Sequence, residues 1–128
     1  MTILGIDWGE AKIGLAIATA AVAEPYAVIR FRTIEEVFEN VAKVVQVEQV
    51  EKVVVGVSEG RSGEEAKDFS LGLRKKLTIP VETFDETLST QEAQKLAIEA
   101  GIKRKKRKDL DDTFAAALVL QSYLDSHA

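Results

Sequence analysis

Between Ile3 and Phe31 three apolar, extended runs follow one another with no room between them for a crossover helix. Ile3–Trp8 and Ile13–Ala18 are separated by Gly9-Glu10-Ala11-Lys12, the composition of a hairpin, and Tyr26–Phe31 follows Pro25. Parallel neighbours need a connection of a dozen or more residues, so these three strands must be mostly antiparallel. That excludes an all-helical fold and a purely parallel sheet.

The period then changes. Ile34, Val37, Phe38, Val41, Val44 and Val45 recur at helical spacing, with Thr33 and Glu36 forming a capping box at the start. Val53–Val57 is a continuous β-branched run interrupted only by Gly56, as expected of a strand covered on both faces. Ser62 with Glu65 reads as a second capping box, opening a helix that turns Ala66, Phe69, Leu73 and Leu77 inward. Ile79–Asp85 reads as a fifth strand. Ser89 with Glu92 caps a helix running to about Ala100, which Gly101 ends. A last helix is expected from Asp109 to about Asp125, with Phe114, Ala117, Leu118 and Tyr123 as core contacts. The order βββ followed by α-β-α-β-α-α predicts one α/β domain over residues 1–128: a five-stranded mixed sheet, its three antiparallel strands first, with helices on both faces. This is the topology of the RNase H-like fold.

Composition narrows the chemistry. The chain has 128 residues, 46% of them hydrophobic, enough for a single core. It has no cysteine, which removes disulfides and thiolate metal sites and points to a cytoplasmic location. No segment has the basic flank and apolar run of a secretion signal or the length to span a bilayer, so no membrane partner is expected. The net charge of −4 hides a concentration. Lys103, Arg104, Lys105, Lys106, Arg107 and Lys108 are six of the seventeen basic residues, and without them the chain would stand at −10.

Three acidic positions stand out. Asp7 interrupts an apolar strand, where alternation puts it on the face of Ile3 and Gly5; an unpaired carboxylate there is costly, although Asp before a turn can also cap it. Gly5 and Gly14 keep that face open to close approach. Glu86 follows the fifth strand, at the strand ends where α/β sheets build sites, and alternation separates it from Asp85. Asp109, Asp111 and Asp112 crowd a helix start, where aspartate is favoured without any function. Asp109 reads as the N-cap and Asp111 as solvated, while Ala115 and Ala116, three and four positions beyond Asp112, give its face small residues for close packing on the sheet. Phosphodiester hydrolysis by divalent ions needs such a set of hard oxygen ligands.

The words around these positions resemble the YqgF/RuvX family, RNase H-like proteins related to Holliday-junction resolvases and assigned to pre-16S rRNA processing. Gly5-Ile6-Asp7-Trp8-Gly9 with Lys12-Ile13-Gly14 is similar to the family's opening word, with Lys12 where Arg is usual. Phe84-Asp85-Glu86-Thr87-Leu88-Ser89-Thr90 resembles its second word. Asp112-Thr113-Phe114-Ala115-Ala116 with Leu120-Gln121-Ser122-Tyr123-Leu124 resembles its closing helix. Two departures are visible: Thr87 stands where the family generally has Arg, and Val57–Gly63 replaces a Gly-Leu-Pro loop.

The resemblance implies that Asp7, Glu86 and Asp112 are catalytic and bind Mg²⁺ or Mn²⁺, in an endonuclease acting on structured nucleic acid. The expected partner is precursor rRNA or a ribosomal particle, with branched DNA, as for a Holliday-junction resolvase, the alternative. Lys103–Lys108, leading into the Asp112 helix, are the expected phosphate contacts, with Lys12, Arg61 and Arg74 as further candidates. Few aromatics interleave with them, so backbone contact rather than base stacking is expected. Trp8, on the strand face opposite Asp7, reads as core, and His127 as an exposed tail residue. A non-catalytic RNA- or ribosome-associated module on the same fold is the rival reading. A sugar-kinase-like or actin-like ATPase would need a second, duplicated domain.

Overall fold

A computed structural model of the chain describes residues 1–9, 11–57, 60–85 and 104–127, and the side chains of all of these except 61, 62 and 104–113. The strands are β1 (Ile3–Asp7), β2 (Lys12–Ala18), β3 (Glu24–Arg30), β4 (Lys52–Val57) and β5 (Val81–Asp85). The helices are α1 (Ile34–Val47), α2 (Arg61–Lys76) and α3 (Arg104–Ser126). The five strands form one sheet in the order β3-β2-β1-β4-β5. β1 is antiparallel to β2 and parallel to β4, β2 is antiparallel to β3, and β4 is parallel to β5. The mixed sheet expected from the run lengths is therefore the one observed.

β1 lies at the centre and is covered on both faces. Leu4 and Ile6 point into a core shared with Ile13, Leu15, Val53, Val55, Val37 and Val41 of α1, and Ala66, Phe69 and Leu73 of α2. Ile3 joins Ala16, Ala18 and Val54 in a second core beneath Ala116, Leu120 and Tyr123 of α3. α3 approaches closely because β1 has no side chain at Gly5. A Cβ there would lie 2.8 Å from Leu120 Cβ and 3.3 Å from the Ala116 carbonyl oxygen.

Three local expectations are corrected. α1 is capped by Thr33, whose hydroxyl accepts from the Glu36 N–H at 3.4 Å, but the Glu36 carboxylate accepts from the Arg32 N–H at 3.0 Å and so does not close the box on Thr33. α2 starts at Arg61 with Gly60 as its N-cap, so Ser62 lies inside the first turn. Gly60 has φ 79°, a conformation that glycine alone adopts cheaply. α3 covers Arg104–Ser126, which puts Arg104–Lys108 within the helix and Asp109 in its body rather than at its cap. The helix expected after Ser89 lies outside the described residues.

The buried stripe of α3 is also shifted: Ala115, Ala116, Val119, Leu120 and Tyr123 are buried, while Phe114, Ala117 and Leu118 are half-buried at its margins. Two polar ties fix the C-terminal half of this helix. The Tyr123 hydroxyl accepts from Lys52 Nζ at 3.0 Å and donates to the Glu82 carboxylate, and this bond to Tyr123 helps hold the Lys52 ammonium above its ordinary pKa. The Gln121 amide accepts from the Ala23 N–H at 2.9 Å and donates to the Ala21 carbonyl at 3.0 Å. His127 is exposed but stacks on Tyr123, ring centroids 4.0 Å apart. Among the described residues no helix is long and apolar enough to cross a membrane.

Gly5→Ala therefore tests the helix–sheet fit. The contact is with backbone and a Cβ, neither of which can rotate away, so urea denaturation should show a loss of about 1–3 kcal/mol.

Candidate active site

Asp7 is the last residue of β1, and the pleat places it with Ile3 and Gly5 on the face that α3 covers. Its neighbours in the register are Gly14 on β2 and Gly56 on β4. Cross-strand partners share a face, so the half-buried Asp7 carboxylate stands between two positions that contribute no side chain.

α3 crosses the same face of the sheet. Tyr123 bonds Lys52, the residue opposite Ile3, whereas Ala116 and Leu120 lie over Gly5, so α3 runs against the direction of β1. Two strand residues onward from Gly5 span ~6.6 Å, the rise of about four helical residues. Going back four residues from that crossing leads to the helical turn that begins at Asp112. For Asp112 the structure gives the backbone alone, and Glu86 lies outside the described residues. Among the described residues no three carboxylate or imidazole side chains cluster.

Trp8 packs on the opposite face, as its alternation requires. Its ring stacks on Phe69 at 4.7 Å and lies 5.6 Å from Phe31, while its Nε1–H donates to the Glu65 carboxylate at 3.4 Å. The end of β1 is thus clamped to α2 from below while Asp7 faces α3 above. Asp85 also belongs to the α2 side. It lines an open cleft of about 490 Å³ with Val57, Gly63, Lys67 and Thr83.

The basic candidates separate in space. Lys12, at the start of β2, shares the face of Gly14 and Ala16 and hence of Asp7. Arg61 opens α2, Arg104–Lys108 lie within α3, and Lys103 lies outside the described residues. Arg74 is corrected: its Nε donates to the Val81 carbonyl at 2.8 Å, at the start of β5 and so at the opposite end of the sheet from Asp7. One feature of the site was missed in the sequence. Gly56 reads as a mere interruption of a valine run until the register sets it beside Asp7.

This fold is that of the RNase H-like resolvases. The structure of Thermus thermophilus RuvC in complex with a Holliday junction matches with a TM-score of 0.65 at 19% identity, covering 98% of this chain and 96% of that one. The Fowlpox virus resolvase in its junction complex matches with a TM-score of 0.65 at 16% identity over 99% of both chains. The family model described as RuvX, Holliday junction resolvase, matches residues 1–126, and the chain belongs to that family. Relatives from Natranaerobius thermophilus and Desulforamulus reducens, each carrying the name "Putative pre-16S rRNA nuclease", are both 38% identical over 98% and 100% of this chain and over 94% and 99% of their own.

The clamp on Trp8 separates stacking from hydrogen bonding. Trp8→Phe keeps an aromatic face on Phe69 and should cost under about 1 kcal/mol, the value of a long hydrogen bond. Trp8→Ala should cost roughly 3 kcal/mol in a denaturation titration, because it empties the space between Phe31 and Phe69.

Proposed function

We propose that the protein is a divalent-metal-dependent endonuclease that hydrolyses phosphodiester bonds in structured nucleic acid, with the 5′ end of pre-16S rRNA as substrate in ribosome biogenesis. The observation that carries this reading is the Asp7 carboxylate set between Gly14 and Gly56 on the face that α3 crosses. Asp7, Glu86 and Asp112 form the catalytic and ligand set. Their oxygen-only chemistry suits Mg²⁺ or Mn²⁺ rather than zinc. A bound divalent ion neutralises charge on the phosphate and lowers the pKa of a water. Asp7, at the end of a strand held from both faces, supplies the fixed donor; Glu86 and Asp112 complete the shell from the segment after β5 and from α3.

The basic run in α3 supports a polyanionic substrate. Arg104–Lys108 are five consecutive basic residues within α3, in a chain whose net charge is −4. Each phosphate they neutralise would release counterions and make binding strongly salt-dependent. Lys12, on the face of Asp7, and Arg61, at the start of α2, are further phosphate contacts in this reading. The names of the relatives favour precursor rRNA, and the description of the family favours branched DNA as the second reading.

Asp7→Asn, which keeps the shape and removes the charge, is the test. Losing a ligand to a metal worth several kcal/mol should lower cleavage of precursor rRNA or junction DNA about 10³-fold in Mg²⁺, with the circular dichroism spectrum unchanged. Undiminished cleavage by this variant would refute the nuclease reading. Whichever substrate the wild-type chain cuts decides between RNA and DNA.

A further inference from the structure

At the level of Asp7 the register sets one row of residues across the whole sheet. Val28, Gly14, Asp7, Gly56 and Phe84 are successive partners from β3 to β5 and so share one face. Phe84 bears this out by packing against the core of Ile3, Val54 and Tyr123 beneath α3. Two strand spacings separate its backbone from that of Asp7, about 9–10 Å. The residue between them is Gly56, so no side chain of the row stands between the carboxylate and the ring. The ring is held but not sealed in. Tyr123 meets it in a T-shaped contact with centroids 5.9 Å apart, and the Tyr123 hydroxyl is tied in turn to Glu82 on β5. Phe84 is half-buried and borders the open cleft of about 490 Å³ at the ends of β4 and β5. Trp8, next to Asp7 in the chain, is on the other face and stacked on Phe69.

From this row we infer that Phe84 is a stacking platform for the nucleobase adjoining the phosphate held at Asp7, so that the site takes an unpaired nucleotide. The separation of Asp7 and Phe84 is on the scale of one nucleotide, from its phosphate across the sugar to the base. Every base has a π-face, so an aromatic ring at that place accepts any of them and reads no sequence. What it selects is form. A base inside a continuous duplex is stacked on both of its faces, whereas bases in single-stranded loops, bulges and ends can be splayed onto an aromatic side chain. Phe84 lies outside the basic run, so the two divide the work: cations hold the backbone and one ring receives one base. This inference rests on the nuclease reading and adds to it the kind of nucleotide that the site takes.

The test is a cycle that pairs a change in the protein with a change in the RNA. The full chain binds a fluorescein-labelled RNA hairpin with a single-stranded tail, or the same hairpin with stable abasic analogues throughout the tail. Anisotropy is measured with Ca²⁺ in place of Mg²⁺ to slow cleavage. The wild type should favour the tail with bases by about ten-fold. Phe84→Leu, which keeps apolar bulk and removes the ring, should lose that preference while binding the abasic tail as the wild type does. Phe84→Tyr should retain the preference. Equal binding of the two tails by the wild type would overturn the platform without any variant, and so would an equal loss on both tails in Phe84→Leu, the mark of a structural role. If the cycle shows no coupling while Asp7→Asn is inactive in cleavage, the platform is wrong and the nuclease reading stands. If Asp7→Asn cleaves normally the nuclease reading fails, and the cycle alone then decides whether Phe84 receives a base.

Discussion

The contact between α3 and β1 at Gly5 is the constraint on which the rest of the arrangement depends. With no side chain at Gly5, Leu120 and the Ala116 carbonyl come within the space a Cβ would need, and the small residues Ala115 and Ala116 let the helix settle there. Tyr123 and Gln121 then fix its C-terminal half to β4, β5 and the β2–β3 connection. A rigid helix fixed at one end carries its other end to a defined place. The turn that begins at Asp112 therefore has a defined relation to the end of β1, and Trp8, clamped against Phe69, keeps that strand end from shifting.

Charge is unevenly distributed. The chain is acidic overall, yet six of its seventeen basic residues are the consecutive Lys103–Lys108, and Arg104–Lys108 lie within α3. In the proposed reading this run is what attracts a phosphate backbone.

Much of this was legible in the sequence because it depends on period and alternation. The three short runs dictated the antiparallel start, and the pleat placed Asp7 and Trp8 on opposite faces, as the two cores confirm. Thr33 was readable as a cap because its hydroxyl chemistry is local. Ser62 misled because the competing signal was a backbone angle: Gly60 at φ 79° begins the helix without a side-chain cap. The start of α3 misled for an electrostatic reason. Aspartates favour a first turn and cations disfavour it, yet lysine and arginine are good helix formers, and the helix extends through them. The buried stripe of α3 followed the close approach at Gly5, which selects Ala115 and Ala116 over Phe114 and Leu118. Gly56 acquired meaning only from the register, a long-range property that no single segment encodes.

The central claim is that Asp7, Glu86 and Asp112 share one metal. Diffraction from crystals of the wild-type chain soaked in Mn²⁺, recorded at the manganese absorption edge, measures this directly. The account predicts an anomalous peak on the α3 side of Asp7, with oxygens of all three carboxylates at coordination distance. A peak elsewhere, or three carboxylates too far apart to reach one ion in well-ordered density, would contradict it.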